Sequence, residues 1–219
     1  MVTMIIDETR IEICGGIAAG KTSLSQLLNG VDVTIINENF EANPFIESFY
    51  EDHALYAFET EITFALQHYY DIKRIAPDSK FKVCDFSLFL DLAYADVTLS
   101  ESERKAFISV HNEIVSKIGY PKALIYLRCD PVVLLNRIKN RQRVYEQGIT
   151  VNYLSQVIKA IEKKIFDMEN IKIIVIDTDR INFIEHDKQF ISAKLKKHLN
   201  SLTSNVITDN ITILSMDSK

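Results

Sequence analysis

Six glycines and four prolines are spread over 219 residues, with no run of either. That scarcity excludes a flexible linker, a low-complexity tract and a collagen-like or disordered composition. Cysteine is equally sparse. Cys14, Cys84 and Cys129 are odd in number, each lies in or beside an apolar run, and none shares a zinc-type spacing with histidine. They read as free buried thiols, which excludes a disulfide framework. Basic charge is not in excess, since the net charge is −5. No general basic field is available to hold a nucleic acid polymer. No apolar stretch approaches the ~20 residues that span a bilayer. The opening MVTMIIDETRIEIC has neither the basic flank nor the long apolar core of a signal peptide. A cytoplasmic chain without membrane partners is the expectation.

What is present is an alternation of short apolar runs and helical periodicity. Strands are predicted at 10–14, 31–36, 81–85, 123–129 and 171–177. ALIYLRC, at 123–129, is continuously apolar, as befits a strand covered on both faces. Helical patterns fill 21–28, 44–74 in two pieces broken near Asp52, 88–96, 102–118, 131–140, 151–168 and 187–199. The pattern predicts an α/β fold, a five-stranded parallel sheet with helices on both faces. Residues 1–200 form a single domain in this reading. The tail 201–219 carries NVITDNITIL, which either adds an edge strand or packs on a partner. Ligands of such sheets collect at the carboxyl ends of the strands.

The first strand runs into Gly15-Gly16-Ile17-Ala18-Ala19-Gly20-Lys21-Thr22, which is G-x-x-x-x-G-K-T between a strand and a helix. Glycine lets the backbone approach closely, and the N–H groups with the helix N-terminus make an anion cradle. Lys21 is expected on the β- and γ-phosphates of a nucleoside triphosphate, and the Thr22 hydroxyl on Mg²⁺. The third strand ends in Asp85, where a P-loop protein needs an acid for the metal. Asp91 interrupts an apolar helix and either meets solvent or lines a polar pocket. After strand four, Arg137 and Arg141 share a helical face and Arg143 lies just beyond. Such a cluster fits a lid that clamps phosphates and offsets charge developing in the transition state. Glu146 either pairs with these arginines or faces a substrate hydroxyl.

The motifs IEICGGIAAGKTSL, ENFEANP, CDFSLFLD and LIYLRCDPVVLLNRIKNRQRVYEQGI with the following VNYL resemble the deoxynucleoside kinases, the deoxyadenosine, deoxyguanosine and deoxycytidine kinase group. The resemblance covers about residues 9–200. It implies a homodimer that uses ATP and Mg²⁺ to phosphorylate the 5′-hydroxyl of a deoxynucleoside, with a purine as the expected base. It implies that Glu38 takes the hydroxyl proton, that Tyr50 and Glu146 hold the 3′-hydroxyl, that Asp85 serves Mg²⁺, and that Arg137, Arg141 and Arg143 form the lid.

Three positions depart from the family pattern. Phe86 stands where an arginine usually separates the acid from Ser87. Glu61, eleven residues after Tyr50, replaces the glutamine that reads the base, unless the register differs and Gln67 does so. An ionised Glu61 only accepts, which suits the two donors of guanine, whereas a protonated one imitates glutamine. His68 replaces a further arginine, and a lone histidine there reads as structural. Two other functions compete. A nucleoside monophosphate kinase of the thymidylate kinase type needs basic residues for an acceptor phosphate, yet residues 37–64 contain neither Lys nor Arg and are rich in Asp and Glu. An inactive nucleotide-binding regulatory protein is favoured only by Phe86.

Overall fold

The computed structural model describes residues 5–30, 32–75, 80–168, 170–181, 183, 188–201 and 211–214. The strands are β1 (Ile6–Gly15), β2 (Val33–Ile36), β3 (Phe81–Cys84), β4 (Tyr120–Arg128), β5 (Lys172–Asp177) and β6 (Ile211–Leu214). They form one sheet in the order β2-β3-β1-β4-β5-β6, and every pairing is parallel. The sheet therefore has six strands, not the expected five. The sixth comes from the tail: Ile211–Leu214 pairs with Ile173–Ile176 of β5. A four-residue strand preceded by polar sequence has no local signal that separates it from a partner-binding segment. The remainder of the tail, 202–210 and 215–219, lies outside the described residues, as does Val31 at the start of the expected second strand.

The helices are α1 (Lys21–Leu28), α2 (Ile46–Glu51), α3 (His53–Arg74), α4 (Leu88–Thr98), α5 (Glu101–Ile118), α6 (Pro131–Arg141), α7 (Val151–Phe166) and α8 (Lys188–Ser201). Their boundaries follow from capping residues. Asp52 breaks the 44–74 segment because its side chain accepts the Leu55 N–H at 3.2 Å and starts α3. Ser100 and Glu103 make a reciprocal capping box for α5. Asp130 caps α6 ahead of Pro131 at its first turn.

Alternation along β4 divides the core. Ala123, Ile125 and Leu127 face α1, α6 and α8 through Leu24, Leu134 and Ile191. Leu124 and Tyr126 face α4 and α7 through Phe89, Val157 and Ile161. Both faces are apolar, which is why the strand reads as one continuous apolar run. A third cluster packs α3 and α5 against α4 through Ala65, Phe107 and Leu88. β1 is longer than its apolar stretch, because Ile6 and Asp7 extend the pairing to Tyr120 and Pro121. β1 has β3 on one side and β4 on the other, and the P-loop emerges from its carboxyl end.

Candidate active site

The loop after β1 has the backbone that an anion cradle requires. Gly20 has φ +101°, and a Cβ there would come within 2.8 Å of the Phe183 ring. Both the conformation and the space demand glycine. A Cβ on Gly15 would lie 3.0 Å from the Leu127 carbonyl oxygen. Ala18 also takes a left-handed conformation, φ +62°, a backbone feature common to anion-binding loops. Lys21 Nζ donates to the carbonyls of Gly15 (3.1 Å) and Gly16 (3.4 Å), folded over the loop. Thr22 follows, and its hydroxyl reaches Asp85. Asp85 is buried and also accepts the backbone N–H of Glu38. Burial holds its pKa above the ordinary value, against the lowering effect of those two donors.

The loop opens into a cleft of about 1010 Å³, the scale of a small-molecule site. Ile17, Ala18, Ala19, Gly20, Lys21 and Thr22 line one end. Glu38, Tyr50, Glu61 and Asp91 line the other, among Phe40, Phe49, Phe64 and Tyr94. Gly15 and Gly16 of the loop, and Asp85, do not line the cleft. Glu38 follows β2, and its Oε1 lies 3.1 Å from His68 Nε2. The other ring nitrogen of His68 is 2.9 Å from Asp91 Oδ2. Burial raises the Glu38 pKa, but the hydrogen bond and charge of His68, with Lys21 and Arg143, outweigh it, so the carboxyl sits below its usual range. Burial lowers that of His68, but Asp91 and Glu38 outweigh it and the pKa rises to about 10. Carboxylates against both ring nitrogens favour the doubly protonated form. Glu61 is buried and held well above the ordinary carboxyl value, first by burial and then by the charge of Asp91. The Thr98 hydroxyl is 3.3 Å from its Oε1.

The lid follows α6, whose last turn passes into Gln142 at φ +56°. Arg141 and Glu146 make a two-pronged pair, with Arg141 Nε donating to Glu146 Oε2 at 2.7 Å and Nη2 to Oε1. Glu146 is 1% exposed, so this partner decides whether its charge is tolerated. Arg143 lies 3.5 Å from the same carboxylate and over the Phe40 ring. Tyr145 stacks between Phe40 and Tyr50, closing the lid onto the acceptor end of the cleft. Arg137 is engaged elsewhere. Its guanidinium donates to the Thr178 and Ile181 carbonyls and approaches Cys129 and the Thr178 hydroxyl. It lines the cleft while tying α6 to the loop after β5.

Comparison with known proteins agrees with this geometry. The family profile "Deoxynucleoside kinase" matches residues 11–201. The chain belongs to the deoxynucleoside kinase family. The kinase is 26% identical to a deoxyguanosine kinase of Bacillus subtilis (strain 168) over 198 residues, covering 85% of this chain and 96% of the relative. It is 24% identical to a deoxyadenosine kinase of Dictyostelium discoideum, over 90% and 82% of the two chains. The fold matches a solved deoxyadenosine kinase of M. mycoides with dCMP and dCDP bound, at TM-score 0.72 and 22% identity, over 89% of this chain and all of that one.

Sequence reasoning read His68 as structural and did not foresee that its ring lies between Glu38 and Asp91. The signals were a histidine on α3 and an acid inside the apolar α4, but nothing local pairs residues 23 positions apart. It also missed the buried group beneath the site. Arg10 and Glu12 are fully buried in β1, with Arg10 Nε donating to Glu12 Oε1 at 3.0 Å. The same carboxylate accepts the Ser87 hydroxyl and the Leu88 N–H, each at 3.0 Å. That pins the turn between Asp85 and Asp91 to the P-loop strand. Tyr153 faces the cleft with a buried hydroxyl that has no partner among the described residues. Among those residues, no helix is long and apolar enough to cross a membrane.

Proposed function

We propose that the kinase transfers the γ-phosphoryl group of ATP to the 5′-hydroxyl of a purine deoxynucleoside, within one domain spanning 1–200 that β6 extends. The carrying observation is the placement of the Glu38 carboxyl at the junction between the P-loop end and an aromatic, acidic compartment. A sugar hydroxyl is a weak nucleophile, and a carboxylate in reach takes its proton as the oxygen attacks. The γ-phosphorus–oxygen bond breaks and ADP leaves. The other contributions are positioning and charge stabilisation by Lys21 and the lid arginines, chiefly Arg141 and Arg143. Tyr50 and Glu146 at the lid contact suit the 3′-hydroxyl, and Tyr153 offers another polar contact.

Thr22 and Asp85 offer two hard oxygen donors side by side, which fits Mg²⁺. Bound there, Mg²⁺ would neutralise phosphate charge. The acceptor compartment is unsuited to an acceptor phosphate, since the carboxylates of Glu38 and Asp91 line it, and this speaks against a monophosphate kinase. Purine preference is supported by the names of the deoxyguanosine and deoxyadenosine kinase relatives. A homodimer is supported by exposed Leu55, Leu66 and Tyr70 on α3. An ADP-release assay over the four deoxynucleosides and dTMP tests the function. Turnover with deoxyguanosine or deoxyadenosine is expected; ATP binding without turnover on any acceptor would defeat the reading.

Glu61 gives a separate prediction. A neutral carboxyl presents one donor edge and one acceptor edge, as an amide does. Glu61→Gln should therefore leave the deoxyguanosine/deoxyadenosine ratio within about threefold. A large shift toward deoxyadenosine would show instead an ionised reader of guanine donors. Stability should also change. With the folded pKa raised, the contribution of Glu61 is complete below the unfolded value of 4.5 and is lost as pH rises through the folded one. The melting temperature of Glu61→Gln should exceed that of the unsubstituted protein, with a gap that widens as pH rises above 4.5.

A further inference from the structure

Two arginines of the family pattern are absent here, and the residues in their places touch each other. His68 and Phe86 lie parallel, with ring centroids 4.0 Å apart and planes 6° apart. Phe64 stacks on His68 from a second direction at 5.9 Å. His68 is 3% exposed, so water contributes little to its hydrogen bonding. Each ring nitrogen meets a carboxylate, Nδ1 with Asp91 at 2.9 Å and Nε2 with Glu38 at 3.1 Å. A neutral imidazole has one N–H, and two acceptor carboxylates require two. The geometry is that of an imidazolium between two anions, with the face of Phe86 against the cation.

We infer that His68 is a positioning residue that fixes the Glu38 carboxylate toward the acceptor hydroxyl by anchoring it to Asp91. The inference rests on Glu38 being the proton acceptor. One ring thereby links α3, α4 and the loop after β2, and joins the nucleobase end of the cleft to the point of phosphoryl transfer. A family arginine would carry a fixed charge and a fork of donors. The His68–Phe86 pair supplies the same sign of charge in a flat, compact form. The groups facing this unit are Glu61 on α3, Lys21 in the P-loop, Arg143 in the lid, and Asp85 beside Glu38. On the far side, His111 of α5 and Glu12 of β1 face Asp91.

The full chain, mutated at one site at a time, tests this. His68→Gln should lower kcat by about 10- to 100-fold, the cost of a misdirected catalytic group. Its ATP affinity, read by direct titration, should stay within about twofold, because the P-loop is untouched. His68→Arg should recover much of the lost kcat, since it restores charge and donors, whereas a merely packed ring would not be rescued that way. Nitrogen-15 spectra of the unsubstituted protein give a readout independent of folding in the variants. Both ring nitrogens of His68 should be protonated at pH 8, and in Asp91→Asn the titration should fall toward that of an ordinary histidine. A neutral ring at pH 8 would overturn the inference. So would a His68→Gln enzyme with kcat within about threefold of normal while Glu38→Gln is slow. A near-normal Glu38→Gln enzyme would overturn the proton-acceptor reading itself, and the spectra would still report whether the bridge exists.

Discussion

Glu38→Gln should lower turnover by roughly 10²- to 10⁴-fold, the range attributed to a positioned general base. The amide keeps the size of the carboxylate and can still accept from His68 Nε2, so the 3.1 Å link survives. Folding should change little for that reason. What disappears is the basic lone pair and the negative charge that faces Lys21 and Arg143. Affinity for ATP should hold or improve slightly, because an anion near the phosphate end has been removed. A steady-state ADP-release assay at saturating nucleoside, with ATP binding measured separately, separates these effects. A rate within a few fold of normal would show that the hydroxyl loses its proton by another route.

How far the sequence carried depends on the range of each signal. The P-loop was legible because its chemistry is local: Gly20 must be glycine for its φ of +101°, and Lys21 and Thr22 follow directly. Of the five expected strands, 123–129 was the most legible, because burial on both faces leaves a run of apolar residues. The break near Asp52 was legible, and its cause is the Asp52 side chain capping α3. β6 was left undecided, because its pairing to β5 is a tertiary fact. The site divides in the same way. Asp85, Glu38 and the lid arginines could be named from motif order. Which arginine meets which partner could not, and Arg137 proves to be largely committed to carbonyls after β5. The partners of His68, Glu12 and Arg10 were illegible for the opposite reason. Burying polar groups breaks the rule that polar residues face water, and only their partners on other elements make it tolerable.

Arg141→Ala should produce the other large effect, and it should act twice. Glu146, 1% exposed, loses the two-pronged partner that compensates its charge, with Arg143 at 3.5 Å left as a weaker one. Removing one member of a buried pair typically costs about 3 kcal/mol, so the melting temperature should drop clearly. Turnover should fall by roughly 10²- to 10³-fold, because a preorganised cation near the transferred group is gone. The two losses separate in a double variant. Adding Glu146→Gln removes the stranded charge and should restore most of the stability. It cannot restore the cation, so turnover at saturating substrates should stay low. Glu146→Gln alone, with Arg141 released from its carboxylate, should raise the nucleoside KM more than it lowers kcat, as expected for a residue that holds a substrate hydroxyl. If the double variant regained turnover together with stability, Arg141 would serve only to hold Glu146, and the lid's phosphate-facing charge would fall to Arg143.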